Sequence, residues 1–124
     1  MRKSVVLLLS TLAVLYSSPG LAFEGRYRGG DKSYRQDLTI KQQGADHYHV
    51  EIVVGTEGCA GYFEGIGRVE GAALVARRRM PPPPDPLQRC AVSILRKGSR
   101  LEVTEDDCTM HGASCEFAGT YKKR

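Results

Sequence analysis

The sequence predicts an all-β fold, an eight-stranded antiparallel meander closed into a small barrel and held by two disulfides. Apolar and polar residues alternate in segments of five to nine residues, which is the pattern of half-buried strands. Nowhere does a run of ten or more residues follow the 3.6-residue period of a helix. The F-x-G-x-Y pattern found near both ends of the chain favours closure of the sheet.

Residues 1–22 have the pattern of a secretory signal peptide. Arg2 and Lys3 precede an apolar stretch over residues 5–16, and Gly20 and Ala22 supply the small residues that cleavage after Ala22 requires. The apolar stretch is shorter than the ~20 residues of a membrane-spanning helix, and no second one follows, so no membrane anchor is expected. Residues 23–124 then form one domain, either periplasmic or secreted.

The first three predicted strands show the alternation most clearly. The first starts at Phe23 and ends at the Gly29-Gly30-Asp31 turn, and the second contains Leu38 and Ile40. The third follows a turn at residues 43–46, with His47, His49 and Glu51 on one face. Its other face is apolar and comprises Tyr48, Val50, Ile52 and Val54.

Five further strands are predicted at residues 59–69, 72–77, 90–96, 101–105 and 115–122. The short connections at residues 70–71 and 97–99 require antiparallel neighbours. Residues 80–86 contain five prolines, which lack the N–H that a sheet needs, so they predict an extended exposed loop.

Two F-x-G-x-Y copies, at residues 23–27 and 117–121, indicate that the first and last strands pair, and residues 62–65 contain a partial third copy. An aromatic ring and a glycine two residues later share a face, so the ring is expected to cover the glycine where the sheet bends. The alternative is a coincidence of two strand motifs. The predicted core is Tyr48, Val50, Ile52, Val54, Phe63, Leu74, Val92, Ile94, Leu101, Val103 and Phe117.

Four cysteines, an even number in a small exported domain, predict two disulfides. Of the three possible pairings we favour Cys108 with Cys115, which closes a short loop, and Cys59 with Cys90, which clamps the proline-rich segment. A zinc site is the alternative, but the sequence has no C-x-x-C pair.

The charge balance argues against nucleic acid as the main partner. The 124 residues carry a formal net charge of +4, which falls to +2 if residues 1–22, with Arg2 and Lys3, are removed. The run of Arg77, Arg78 and Arg79 before the prolines is either a patch for an acidic partner or a solvated strand end.

Few residues point to chemistry, and the chain is expected not to be an enzyme. His47 and His49 have a spacing that chelates metals, but no third nitrogen or sulfur ligand accompanies them, so no metal or other cofactor is predicted. His111 and Ser114 lie three residues apart in one small loop, which does not provide the rigid frame of a hydrolytic triad.

The loop between Cys108 and Cys115 is the predicted surface for a protein partner, through Thr109, His111 and Ser114. A loop tied by a disulfide presents its side chains rigidly, which lowers the entropic cost of binding. Alternatively, His111 holds the loop together by a hydrogen bond to the backbone.

The export signal, the meander of about a hundred residues, the paired cysteines and the closing C-x-F-x-G-x-Y strand together resemble the small periplasmic β-barrels of proteobacteria. Inhibitors of C-type lysozyme belong to these barrels. The resemblance implies a loop with a serine and a nearby lysine that enters the lysozyme cleft. Their S-G-x-x-Y type of motif is absent here, and the nearest candidates, Ser99 beside Lys97 and Ser114 with Lys122, do not match it, so no site is transferred.

The sequence therefore predicts an exported binding protein, with inhibition of a lysozyme-type cell-wall hydrolase as the leading hypothesis. The net positive charge of the chain argues against that hypothesis, because lysozyme is also basic and like charges slow association. The alternatives are a carrier of a small ligand or metal in the barrel interior and a structural protein of the envelope.

Overall fold

The computed structural model describes residues 23–78 and 89–124, which form a closed barrel of eight antiparallel strands. The strands are β1 (Gly25–Gly30), β2 (Tyr34–Gln42), β3 (Tyr48–Thr56), β4 (Cys59–Glu70), β5 (Ala73–Arg78), β6 (Ala91–Lys97), β7 (Arg100–Asp106) and β8 (Gly119–Lys123). The described part of the chain contains no helix long and apolar enough to cross a membrane. The predicted signal peptide, Arg79 and the proline-rich segment lie outside the described residues.

Each strand pairs with the next one along the chain, and β8 pairs with β1, which confirms the predicted meander and its closure. The closing joint is short: it consists of the pairs Tyr27 with Lys123 and Arg28 with Lys122. By contrast, β2 and β3 pair over nine residues. The β1–β8 joint, called the seam below, is therefore the least extensively paired joint of the barrel.

Inward-facing side chains fill the barrel, and all eleven predicted core residues are buried. Alternation along each strand sends every second residue inward, which is why the pattern identified them. The core also includes residues that the prediction left out: Phe23, Tyr27, Leu38, Ile40, Ala76 and Tyr121, together with three of the four cysteines.

The two F-x-G-x-Y copies form the same local structure at the two ends of the described chain. The Tyr27 hydroxyl donates a hydrogen bond to the Phe23 carbonyl at 2.8 Å, and the Tyr121 hydroxyl donates one to the Phe117 carbonyl at 2.7 Å. Between each pair the glycine turns the backbone, and Gly25 has a φ of 145° that L side chains rarely adopt. The pattern is therefore a structural motif in which each tyrosine ties the start of its strand.

The predicted contact of a ring with a glycine occurs, although not always with the expected ring. A Cβ at position 65 would lie 2.8 Å from the Phe63 ring, as predicted for the third copy. At position 25 it would instead meet Tyr27, at 3.5 Å. Glycines thus provide the space into which aromatic rings pack where the sheet curves.

The disulfides join Cys59 to Cys115 and Cys90 to Cys108, so the favoured pairing of Cys108 with Cys115 and Cys59 with Cys90 is wrong. Ala91 pairs with Asp106 across β6 and β7, and the residues just outside this pair, Cys90 and Cys108, therefore lie side by side. The chain then crosses the end of the barrel towards β4, where Cys115 meets Cys59. Strand register, which the spacing of cysteines does not encode, determines the pairing.

Several strand ends also differ from the prediction. β8 begins at Gly119 rather than at Cys115, and β2 begins at Tyr34, well before Leu38. Phe23 is buried although it precedes β1. Burial in the segment before β8 alternates as it does in a strand, because Cys115 and Phe117 both point into the barrel end.

Candidate functional site

Residues 107–118, called the cap segment, lie over the end of the barrel at which β4, β6 and β8 begin. Both disulfides anchor this segment, one near each of its ends. Hydrogen bonds attach its middle to β4: Tyr62 donates its backbone N–H to the Met110 carbonyl at 3.2 Å, and Gly112 donates to Ala60 at 3.1 Å. The cap segment is therefore bound to β4 as well as to the two strands that it connects.

Glycines at positions 61 and 112 allow the cap segment to approach β4 closely. Gly61 forms an isolated antiparallel bridge with His111, and a side chain there would collide with the Cβ of His111. A Cβ at position 112 would lie 2.6 Å from the Cys59 sulfur. Both positions require the smallest residue for steric reasons.

His111 makes the main polar contacts that hold the cap segment on the barrel. Its Nε2 lies 2.6 Å from Oε1 of Glu105, and its Nδ1 lies 2.8 Å from the Gly112 carbonyl oxygen. The second Glu105 oxygen accepts the backbone N–H of Phe117 at 2.7 Å. The His111 ring also packs edge-on against Phe117, with ring centroids 4.9 Å apart. One histidine and one glutamate thus connect β7 with both halves of the cap segment.

Both neighbours of the His111 ring are acceptors, so the imidazolium form, which donates from both nitrogens, satisfies them best. Burial opposes that charge, but the hydrogen bonds to the Gly112 carbonyl and to Glu105 outweigh it. The pKa of His111 therefore lies above its ordinary value of 6.5. The alternative expectation, that His111 holds the loop together by a hydrogen bond to the backbone, agrees with this geometry.

A second polar support lies where the cap segment enters β8. Gln36, a buried polar residue of β2, donates from its side-chain amide to the carbonyls of Glu116 and Ala118, both at 3.0 Å. The Tyr34 hydroxyl donates to the Glu116 carbonyl at 2.6 Å and accepts the Glu116 N–H at 2.7 Å. A Cβ at Gly119 would lie 2.8 Å from the Gln36 side-chain oxygen, so this amide requires a glycine opposite it.

The three predicted partner-binding residues occupy different environments. Thr109 and Ser114 are exposed on the cap segment, whereas the His111 side chain is only 13% exposed. His111 therefore positions the cap segment, and Thr109 and Ser114 stand on its outer surface.

The geometry does not pair Ser114 with His111 as nucleophile and base. Both ring nitrogens of His111 are engaged, by Glu105 and by Gly112, so neither is directed at a serine hydroxyl. Sequence reasoning assigned no role to Glu105. It missed Gln36 altogether, although its position two residues before Leu38 places it on the inward face of β2.

His47 and His49 contact different carboxylates rather than a common point. His47 Nδ1 lies 3.2 Å from Asp46, and His49 Nε2 lies 2.9 Å from Glu64. Within residues 23–78 and 89–124, no three His, Cys, Asp or Glu side chains are arranged to hold a metal ion.

The predicted basic patch at residues 77–79 is only partly within the described chain. Arg77 pairs with Glu70 of β4 at 3.4 Å. Because Arg77 already pairs with Glu70 within the sheet, its environment agrees better with a solvated strand end than with a patch for an acidic partner.

Comparisons of this chain with protein-family models, with curated proteins and with solved structures found no match.

Proposed function

We propose that this chain is an exported binding protein that presents the cap segment to a protein partner in the periplasm or outside the cell. The export proposal is supported by the signal-like pattern of residues 1–22 and by the oxidation of all four cysteines, because disulfides persist in oxidising compartments.

The rigid attachment of the cap segment is the observation that carries the binding proposal. Two disulfides, the bridge between Gly61 and His111 and the pair of His111 with Glu105 hold twelve residues across one barrel end. A surface ordered before binding loses little entropy when a partner docks, and Thr109 and Ser114 are exposed on it.

The partner class proposed is a lysozyme-type cell-wall hydrolase, which the resemblance to periplasmic lysozyme inhibitors suggests. The positive charge of the whole chain opposed this partner, but the cap segment itself contains Asp107 and Glu116 and neither lysine nor arginine. An acidic cap segment is electrostatically suited to a basic enzyme.

A filled barrel argues against the alternative of an interior carrier. Phe63, Phe117 and Tyr121 are completely buried, together with aliphatic residues of β2, β3, β5, β6 and β7. A small-ligand site needs a cavity of about 300 Å³ or more, and the rings occupy the space in which it would lie. The structural envelope protein remains the competing hypothesis for the experiment below.

The test is inhibition of C-type lysozyme by the full chain, exported by a bacterial host and purified in its oxidised form. Ser114→Arg is compared with Ser99→Arg, because both serines are exposed but they lie at opposite ends of the barrel. We expect Ser114→Arg to weaken inhibition by about tenfold and Ser99→Arg to leave it unchanged.

Reduction of the disulfides should abolish inhibition as well, because it releases the cap segment. If the oxidised chain does not inhibit at micromolar concentration, the proposed partner is wrong and a structural role is favoured. If Ser99→Arg is the damaging change, the β6–β7 turn and not the cap segment is the binding surface.

A further inference from the structure

A row of basic side chains crosses the seam of the barrel, away from the cap segment. The strand register pairs Lys97 with Arg100, Arg100 with Lys122, and Lys122 with Arg28. All four side chains are exposed and point outward. Because neighbouring strands lie about 4.8 Å apart, the row extends over about 14 Å.

This row is unfavourable for the stability of an isolated barrel. Like charges directly opposite each other on neighbouring strands repel and destabilise a sheet. Within the described chain, Lys97, Arg100 and Lys122 make no ion pair that would offset the repulsion. An anionic ligand that neutralises the row would relieve it.

The row ends at a carboxylate surrounded by three arginines. Asp37, which pairs with Arg28 across β1 and β2, lies 3.6 Å from the Arg28 guanidinium and 3.8 Å from that of Arg124, and it contacts Arg35 directly. The Asp37 side chain is 15% exposed, whereas the three arginines are 45–70% exposed. Asp37 therefore gathers three guanidinium groups around one carboxylate, with only Arg35 hydrogen-bonded to it, and leaves all three open to solvent.

These residues form what we call the seam patch: Lys97, Arg100, Lys122, Arg28, Arg35, Arg124 and Asp37. The patch carries a formal charge of +5, and the remainder of the 124-residue chain carries twelve basic and thirteen acidic residues. The net positive charge of this chain is therefore concentrated at the seam.

The shape and chemistry of the seam patch narrow the class of ligand. Cations in single file match a linear polyanion, and guanidinium groups pair well with carboxylates, as Arg35 already does with Asp37. The patch has no aromatic ring on which nucleic-acid bases would stack. It also has no apolar side chain to insert into a lipid surface.

We propose that the seam patch binds a linear acidic glycan through the carboxylates of its uronic acid residues. The glycan lies across β6, β7, β8 and β1, and its carboxylates contact Lys97, Arg100, Lys122 and the arginines around Asp37. Arg100 and Lys122, which the test changes, lie outside the cap segment, so the test is independent of the lysozyme experiment.

The test uses the full, oxidised chain and an oligogalacturonate as the probe, with binding measured by calorimetry at low and at physiological salt. The double variant Arg100→Gln with Lys122→Gln is compared with Arg68→Gln and Arg77→Gln, which removes two positive charges from β4 and β5. Because the variant removes two exposed charge contacts, each of them weak, we expect it to bind about tenfold more weakly.

The control variant should bind as the native chain does, and affinity should fall as salt is added. Equal losses in the two double variants would overturn the seam as the site, as would a failure of the native chain to bind the oligogalacturonate. Equal or tighter binding of polyphosphate, a single-stranded oligonucleotide or anionic lipid vesicles would overturn the glycan as the ligand.

Discussion

At the scale of single residues, His111 shows how a small barrel end is kept in one conformation. Its two nitrogens contact Glu105 and Gly112, while its ring packs against Phe117. A hydrogen bond to a charged group is stronger than a neutral one, so the protonated imidazole stabilises the cap segment more than the neutral form does. The cap segment is consequently sensitive to pH.

We expect the stability of the barrel to fall as the pH rises above about 6.5. Because the pKa of His111 is raised in the folded state, its contribution is fully present below 6.5 and is lost as the pH rises through the folded pKa. Urea unfolding of the native chain and of His111→Gln at several pH values would measure this. In acid the native chain should be about 1–3 kcal/mol more stable than His111→Gln, and this difference between the two chains should shrink at high pH. A difference independent of pH would contradict it.

Gln36 provides a second prediction at this scale, since its amide serves two carbonyls of the chain that enters β8. Gln36→Leu keeps a similar volume but removes the amide donor from both carbonyls, leaving the Glu116 carbonyl with the Tyr34 hydroxyl alone. We expect a loss of about 1–3 kcal/mol in the free energy of unfolding. Gln42→Leu on the exposed end of the same strand is the control, with little expected effect. Similar results for the two variants would mean that the amide contributes little.

At the scale of elements, the two F-x-G-x-Y motifs make the starts of β1 and β8 equivalent. In each, a buried tyrosine hydroxyl donates to the carbonyl four residues earlier. Burial also raises the pKa of both tyrosines, which keeps the hydroxyls protonated as donors. The motifs tie together the backbone on both sides of a glycine turn.

Replacing either tyrosine by phenylalanine removes one hydrogen bond and retains the ring. We expect Tyr27→Phe and Tyr121→Phe each to lower the free energy of unfolding by about 1 kcal/mol, and more at the more deeply buried Tyr121. Tyr48→Phe is the matched control, because Tyr48 is buried but is not part of such a motif. Equal small effects at all three positions would show that the hydroxyls do not stabilise the strand starts.

The two disulfides should differ in their contribution to stability. Cys59–Cys115 closes a segment of 56 residues and Cys90–Cys108 one of 18 residues. The chain-entropy model gives about 4 and about 3 kcal/mol for loops of these lengths. Paired Cys→Ser variants unfolded in urea would measure the difference, and a larger loss at Cys90–Cys108 would contradict the order.

Sequence reasoning identified the strands well and the connections between them poorly. Alternation along a strand is a local signal, and it located every strand and eleven core residues. The pairing of Cys108 depended on the register of β6 with β7, which no local pattern contains. The segment before β8 was misassigned because Cys115 and Phe117 alternate in burial without being part of the sheet.

Prediction of the candidate site was limited in the same way, because its contacts are not all local in sequence. The loop with Thr109, His111 and Ser114 was predicted from a Cys108–Cys115 disulfide that the chain does not form. The contact of Gln36 with Glu116 joins residues that lie 80 positions apart, so no local pattern could reveal it. The sequence alone also did not predict the basic row at the seam. Lys97, Lys122 and Arg28 are far apart along the chain, and only closure of the barrel brings them together.

At the scale of the whole molecule, the barrel has two separate surfaces. The cap segment is acidic and is fixed by disulfides, whereas the seam patch is basic and lies on the joint with the fewest paired residues. The modest net charge of the chain therefore conceals a weakly acidic cap segment and a strongly basic seam patch.

The short seam predicts uneven local stability. We expect backbone amides of β8 to exchange hydrogen faster than those of β3, because β8 has two register pairs to β1 and β3 has nine to each neighbour. Amide exchange followed by NMR at neutral pH would measure this. Uniform protection around the barrel would mean that the tyrosine motifs compensate for the short pairing.

Closure of the meander also brings the two ends of the described chain together. The backbone N–H of Arg124 donates to the Arg26 carbonyl at 2.9 Å, so the last residue lies against the first strand. A short peptide linker would join these ends, and the exposed turn at residues 43–46 offers a new opening. Each strand pairs with the next one along the chain and the last pairs with the first, so the order of pairing does not depend on where the chain is opened. We therefore expect a circularly permuted chain to reach the same fold.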